Sequence, residues 1–300
     1  MSKTHDNLVV VRAGPSSLHP GWLRERGRRR NFDLHVTAFH PDAPAVEGAG
    51  TFRTEVPGSK VKGYRDFLRT RARDVRQYRA IALIDDDIDS DADALSDCFD
   101  IGERYGLQVW QPSLTWDSYL SYAVFLQNRR FRLRFVNFIE MMCPFFTAGA
   151  LAGAGPLFAS GRETGIDLAW CRQFDAPLRK CAVVDAVAVR HTRRVGTTKT
   201  AHGFAADERY DDEIARVLQA LGITFRGAVA YAGVARGGGA VSTRAGVVMR
   251  SLHVAAALRR SPMPKGMLLR FLTDHWRHTL FRPLNLARVD LSRLERAVTP

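Results

Sequence analysis

The chain has 300 residues, enough to bury a full core in one large α/β domain or two smaller ones, so folding requires neither disulfide staples nor a structural metal. Its 44 Lys and Arg against 31 Asp and Glu give a net charge of +13, a balance that suits nucleic acid, anionic lipid or phosphorylated substrates without choosing among them. Cys98, Cys143, Cys171 and Cys181 form no Cys-x-x-Cys pair, which argues against a zinc knuckle or a dense disulfide framework and favours a reducing, cytoplasmic setting.

In chain order, residues 1–6 lack the basic flank and long apolar region of a signal peptide, so export is not expected. Residues 8–11 (Leu-Val-Val-Val) predict a first strand ending at the Gly14-Pro15 turn, and residues 32–39 a second that stops at His40-Pro41. Between them, residues 22–30 read as a basic helix or loop. Residues 63–79 carry Tyr64, Phe67, Leu68, Val75 and Tyr78 at helical spacing. A third strand, residues 80–84, then runs directly into Asp85, Asp86 and Asp87. Further strands are expected at 107–110, 135–139 and 182–189, the last leading to His191, and helices at 92–105, 147–154 and 211–221. Gly237-Gly238-Gly239 reads as a flexible joint, dividing the chain into a main domain of residues 1–236 and a basic, helical extension of residues 237–300. The alternation of strands and helices implies an α/β fold with a mostly parallel central sheet flanked by helices. Residues 141–160 are uncharged and long enough to cross a bilayer, but Pro144, Gly149, Gly153, Gly155 and Pro156 interrupt them, and the span is rejected.

Charge is unevenly spread. Residues 81–117 hold ten acids against one base, and residues 244–300 hold eleven bases against three acids. Ligands of open α/β sheets sit beyond the carboxyl ends of the strands, which is where Asp85 to Asp87 are expected. Carboxylates there can ligate a hard divalent cation that neutralises a diphosphate; a solvated loop capping the next helix is the alternative. His191, at another strand end about a hundred residues later, can complete such a site as a neutral imidazole, although a lone histidine is more often a packing residue. Lys60 and Lys62 precede the helix that leads to the acids, where either could meet a phosphate.

Several ordered motifs together resemble the domain-of-unknown-function family 707, a glycosyltransferase-like family with the GT-A fold. They are residues 81–88 (Ile-Ala-Leu-Ile-Asp-Asp-Asp-Ile), 111–114 (Gln-Pro-Ser-Leu), 139–144 (Ile-Glu-Met-Met-Cys-Pro), 165–167 (Gly-Ile-Asp) and the strand ending at His191, within a match over residues 8–200. The resemblance implies that Asp85 and Asp87 are metal ligands, with His191 as the third. It also implies that Val11, Arg12 and Ala13 belong to the first nucleotide-binding loop, so that with Lys60, Lys62 and Asp86 they are the candidate donor-binding residues. Glu140 is expected in or near the cleft. Asp167 is retained where the family has Gly-Trp-Gly-Leu-Asp, but the aromatic is missing. Glu140 and Asp167 are the candidates for base catalysis or acceptor positioning.

The function expected is transfer of a sugar from a nucleotide-sugar donor to a glycan, polysaccharide or lipid-linked acceptor, assisted by Mn2+ or Mg2+. The alternatives are a nucleotidyl- or phosphotransferase and a GT-A-like binding protein without catalysis. Nucleic acid is opposed by the acids at the sheet's functional edge. In the tail, Leu268, Phe271, Leu272, Trp276 and Leu280 fall at helical spacing among Lys265, Arg270, Arg277 and Arg282. Such a helix could hold a cytoplasmic protein peripherally on an anionic membrane, or pack on the domain with solvated arginines.

Overall fold

The apolar run Asn7–Ala13 forms β1, buried along its whole length, as expected of a central parallel strand covered on both faces. The computed structural model describes residues 3–194 and 210–296; the outermost ends of the two sequence-derived domains, residues 1–2 and 297–300, and residues 195–200 of the motif match lie outside them. β2 (Phe32–Ala38), β3 (Thr51–Glu55) and β4 (Ala80–Asp85) extend β1 in parallel, with β1 between β2 and β4. The expected helix over 63–79 is two pieces, α1 (Lys60–Thr70) and α2 (Ala72–Val75), because Arg71 leaves the helical backbone at φ −114° and ψ 20°.

After β5 (Ile88–Asp89) and α3 (Ala92–Arg104), the sheet continues through β6 (Val109–Leu114), β7 (Phe131–Val136), β8 (Phe145–Thr147) and β9 (Cys181–His191), and later through β10 (Ala230–Ala235) and β11 (Ala240–Val241). The strand order is β11-β10-β7-β9-β6-β8-β4-β1-β2-β3, with β5 paired to the end of β9. β1, β2, β3, β4, β6, β9 and β10 run one way, and β7, β8 and β11 the other. The central sheet is thus mostly parallel in direction and flanked by helices, as expected. β8 and β11 are too short to have an alternating signature, β3 (Thr-Phe-Arg-Thr-Glu) is half-exposed with a single large apolar residue, and β6 runs past Pro112, where a strand is expected to stop. The ladder between β6 and β9 breaks at that point: Pro112 pairs with Val184, and Ser113 with Ala188.

Residues 141–160 fold into the end of a loop, β8, α4 (Ala148–Gly153) and α5 (Gly155–Ala159). Among the described residues no helix is long and apolar enough to cross a membrane. Gly237-Gly238-Gly239 is the tip of the β10–β11 hairpin, closed by bonds from Gly238 N–H to Ala235 O and from Ala235 N–H to Gly239 O, both 2.8 Å. The sequence-derived boundary after residue 236 therefore falls inside that hairpin. α6 (Tyr210–Leu221) precedes it, and α7 (Arg244–Ser251), α8 (Lys265–Phe281) and α9 (Ser292–Arg296) follow it. Val241, Val247, Leu268, Leu272 and Leu294 join the same buried cluster as β1 and β4.

Candidate functional site

The bulge in β9 aims the strand's end. Residues 185–187 loop out between the two registers with β6, as an extra stretch must when a strand is re-registered on its neighbour. The buried Asp185 in this loop accepts from Arg134 Nε at 2.7 Å, from Arg134 Nη2 at 2.9 Å and from the Asn128 N–H at 2.8 Å. Ser113 Oγ holds the loop's far side by donating to Val187 O at 2.7 Å. Past the bulge the strand resumes, and His191 pairs with Ile88 directly after the acids.

The loop of acids is fixed from three sides. Gly14 N–H donates to the Asp86 carboxylate at 2.9 Å, Arg193 Nη1 donates to its other oxygen at 2.9 Å, and Leu18 N–H donates to Asp86 O at 2.7 Å. Trp22 Nε1 donates to Ile88 O at 2.7 Å, and Thr192 N–H and Oγ1 both donate to Asp87 O, at 3.1 and 2.8 Å. Asp86 is thus engaged in holding the first loop against β4. Burial nonetheless raises its carboxyl, against the lowering effect of Gly14 and Arg193.

Asp87 faces His191, with Oδ2 3.3 Å from Nε2 and both side chains largely buried. His191 Nδ1 donates to Tyr119 O at 3.0 Å, which leaves Nε2 for Asp87. Burial alone would lower the imidazole, but the hydrogen bond and charge of Asp87, then the Tyr119 carbonyl and Asp85, raise it from 6.5 to about 9. Burial likewise works to raise Asp87 and is outweighed by His191, so the carboxyl is lowered. Asp87 Oδ1 is buried without a hydrogen-bond partner.

Asp85 lies across from Lys60, whose Nζ stands 2.6 and 2.7 Å from its two oxygens. Burial lifts the Asp85 carboxyl to about 6 against the pull of Lys60, with Asp87 adding to the rise. Lys60 is held in place through the start of α1: Ser59 at the helix N-cap donates its hydroxyl to Glu163, and Val61 N–H donates to Glu163 Oε2 at 3.1 Å, so Glu163 caps α1 from another part of the chain.

The second pair of acids lies on the same side. Glu140 N–H donates to Gln111 Oε1 at 3.0 Å, and Met141 N–H to Asp167 Oδ2 at 3.3 Å. Burial, then repulsion by Asp167, pushes the Glu140 carboxyl up to about 7, with Ser121 opposing by a hydrogen bond; burial also pushes Asp167 to about 6. The charges of Lys60 and His191 are felt at Glu140, and that of Lys60 at Asp167, so the two pairs share one electrostatic site. Glu140 Oε2 and Gln111 Nε2 are buried and unpartnered.

The structure therefore brings together Asp85, Asp87, His191, Glu140, Asp167 and Lys60. The remaining sequence-derived positions are placed differently. Val11 and Ala13 are buried in β1, and Arg12 donates to Val56 O at 2.8 Å and Gly58 O at 2.7 Å, clamping the loop before α1. Gly63 makes room for that clamp, since a Cβ there would lie 2.3 Å from the Arg12 guanidinium. Lys62 is exposed. Gln111, Ser121, Glu163 and Arg193 also shape the site, and no spacing in the sequence marks Ser121 or Glu163 as polar partners of Glu140 and α1. Gln111 stands in a quoted motif, and Arg193 two residues past His191.

Among the described residues no three His, Cys, Asp or Glu side chains stand close enough to hold a metal ion. The nearest approach to a cation site is Asp85, Asp87 and His191, where Lys60 and the protonated imidazole already neutralise the carboxylates. Two carboxylates, one with the unpartnered Oδ1 of Asp87, and an imidazole are the donor types a divalent cation takes, although their spacing here is not that of a metal shell.

No family model matches the chain, so the resemblance to family 707 rests on its motifs alone, and no curated protein matches it. Among solved structures, the chain is similar to TarS residues 1–349 of S. aureus, at 8% identity and a TM-score of 0.42 over 92% of this chain and 72% of that one. The same protein in complex with UDP-GlcNAc gives 8% and 0.43 over 91% and 72%. A197 from STIV gives 11% and 0.34 over 63% of this chain and 86% of that one. These are likenesses of layout, and the chemistry rests on the site's own residues.

Proposed function

We propose that the chain is a glycosyltransferase of the GT-A type, related to the domain-of-unknown-function family 707, which takes a nucleotide-sugar donor and transfers its sugar to a glycan or lipid-linked acceptor with Mn2+ or Mg2+. The observation that supports this reading is the contact of Asp87 with His191 at the carboxyl ends of β4 and β9, 3.3 Å apart, beside a buried carboxylate oxygen of Asp87 that has no partner. Asp85, Asp87 and His191 would hold the cation, whose chemistry is to offset charge on the departing nucleoside diphosphate. Lys60, freed from Asp85, would face a donor phosphate as a second positive charge. Burial raises the Glu140 and Asp167 carboxyls to about 7 and about 6, so either, when ionised, would be a base of suitable strength to take the proton of an acceptor hydroxyl.

The test is calorimetric titration of the full chain with UDP, GDP and dTDP, each with Mn2+ and with chelator. At least one nucleotide should bind more tightly with Mn2+. Asp87→Asn should lose tenfold or more of that gain while its chelator-state affinity stays close to wild type. Absence of any Mn2+-dependent nucleotide binding, or an Asp87→Asn variant that keeps all of it, removes the proposal.

A further inference from the structure

Six large hydrophobic side chains are substantially exposed among the described residues, and five of them, Met249, Leu252, Met267, Leu269 and Phe281, belong to α7, the 3-10 segment Leu252–Arg259 and α8. Phe281 is the most open at 78%. The same stretch, residues 244–282, holds eight Lys and Arg against the single acid Asp274. Scattered exposed apolar residues are ordinary on a protein surface. Confinement of nearly all the large ones to one unit, interleaved with a one-sign charge excess, is not.

The placement on α8 follows its period. Leu268, Leu272, His275 and Thr279 are buried and fix the inward face. Arg270, Arg277 and Phe281 then fall on the opposite side, and Met267 and Leu269 on its flanks. Arg270 and Arg277 are 82% and 61% exposed and share Asp274 as their ion-pair partner. Arg250 and Arg259 are exposed beside Met249 and Leu252. Arg244 donates to Arg282 O at 2.6 Å, which ties the start of α7 to the end of α8.

We infer that this α7–α8 face docks on the surface of an anionic lipid bilayer, with Phe281, Leu269, Met267 and Met249 entering the headgroup boundary and the arginines between them meeting lipid phosphates. Charge complementarity selects this occupant: an apolar protein partner would be served by the hydrophobic residues without the arginines, and a soluble polyanion by the arginines without Phe281. The inner flank of α8 meets a cleft of about 140 Å³ lined by Tyr122, Ala228, Phe271, His275 and His278. Ser121, also on that cleft, hydrogen-bonds the Glu140 carboxylate. The docking surface shares no residue with the nucleotide site, and it stands or falls independently of the donor chemistry.

Deleting residues 240–300 is a poor test, because Val241, Val247, Leu268 and Leu272 belong to the common core. Surface variants of the full chain are suitable: Arg270→Gln with Arg277→Gln, and separately Phe281→Ser. Co-sedimentation is measured with vesicles of phosphatidylcholine alone and of phosphatidylcholine with about one third phosphatidylglycerol. Wild type should bind the anionic vesicles and not the neutral ones; the double arginine variant should bind about 30-fold more weakly, from the contribution of two bases near a charged surface, and Phe281→Ser severalfold more weakly. Circular dichroism and thermal melting confirm that both variants fold. Equal binding of wild type to the two vesicle types, or unchanged binding of both variants, overturns the inference. Salt-sensitive binding to duplex DNA without binding to vesicles overturns it as well.

Discussion

The Asp87–His191 pair should make folding stability fall with rising pH in a range where few other groups titrate. Its side chains are 12% and 8% exposed, so solvent does little to screen them. The imidazole rises from 6.5 to about 9 in the folded chain. A group whose folded pKa lies above its unfolded one contributes stability that is complete below the unfolded value and is lost as pH climbs through the folded value. Linkage then gives about 2.5 kcal/mol at pH 7 and a few tenths at pH 9.5. The lowered Asp87 carboxyl reports the same contact from the other partner and is not added again. The perturbation is His191→Gln, which keeps a donor for Asp87 but cannot be charged. Urea unfolding with chelator present should place the variant about 2.5 kcal/mol below wild type at pH 7 and within about 1 kcal/mol at pH 9.5, with similar m-values. A gap of equal size at the two pH values would mean that His191 is not held protonated by Asp87, and the electrostatic account of the site would fail.

Arg134→Met leaves the buried Asp185 carboxylate without its partner and should destabilise the chain by about 3–5 kcal/mol. Combining it with Asp185→Leu should recover much of that loss, as read by thermal melting, whereas an equally unstable double variant would show that the bulge needs the ions themselves. Glu140→Gln should leave Mn2+-dependent nucleotide binding near wild type and lower donor turnover at least a hundredfold. It should also remove a rise in wild-type activity through about pH 7, the value to which burial and Asp167 push this carboxyl; an unaltered pH profile would take Glu140 out of proton transfer.

What could be read from the residues alone divides along a physical line. Strands such as β1 and β4, with apolar runs at 8–11 and 80–84 ended by Gly-Pro or by acids, announce themselves because burial on both faces leaves no alternation of apolar and polar residues within the run. Their carboxyl ends then locate Asp85 to Asp87 without further information. Strands of two or three residues, such as β5, β8 and β11, exist only because a neighbour supplies their hydrogen bonds, so no local pattern can reveal them. The Gly237-Gly238-Gly239 turn looks like a hinge for the same reason, since its meaning depends on β10 and β11 pairing around it.

The site follows the same division. The pairing of His191 with Asp87 was open to inference from strand ends, but its geometry depends on the bulge at residues 185–187, which is fixed by a buried ion pair with Arg134 some fifty residues earlier. Lys60 was read as a phosphate contact, and it is found on Asp85. The expectation and the contact are compatible if one cationic side chain serves in turn as counter-ion to Asp85 and as partner to a donor phosphate. A buried carboxylate without a counter-charge is costly, so Asp85 and Asp87 need positive partners in the folded chain. Lys60 and protonated His191 are those partners. If the proposed cation binds here, the same two groups yield to it, one by moving and one by releasing a proton, so cation affinity should rise with pH up to about 9 rather than level off near neutrality.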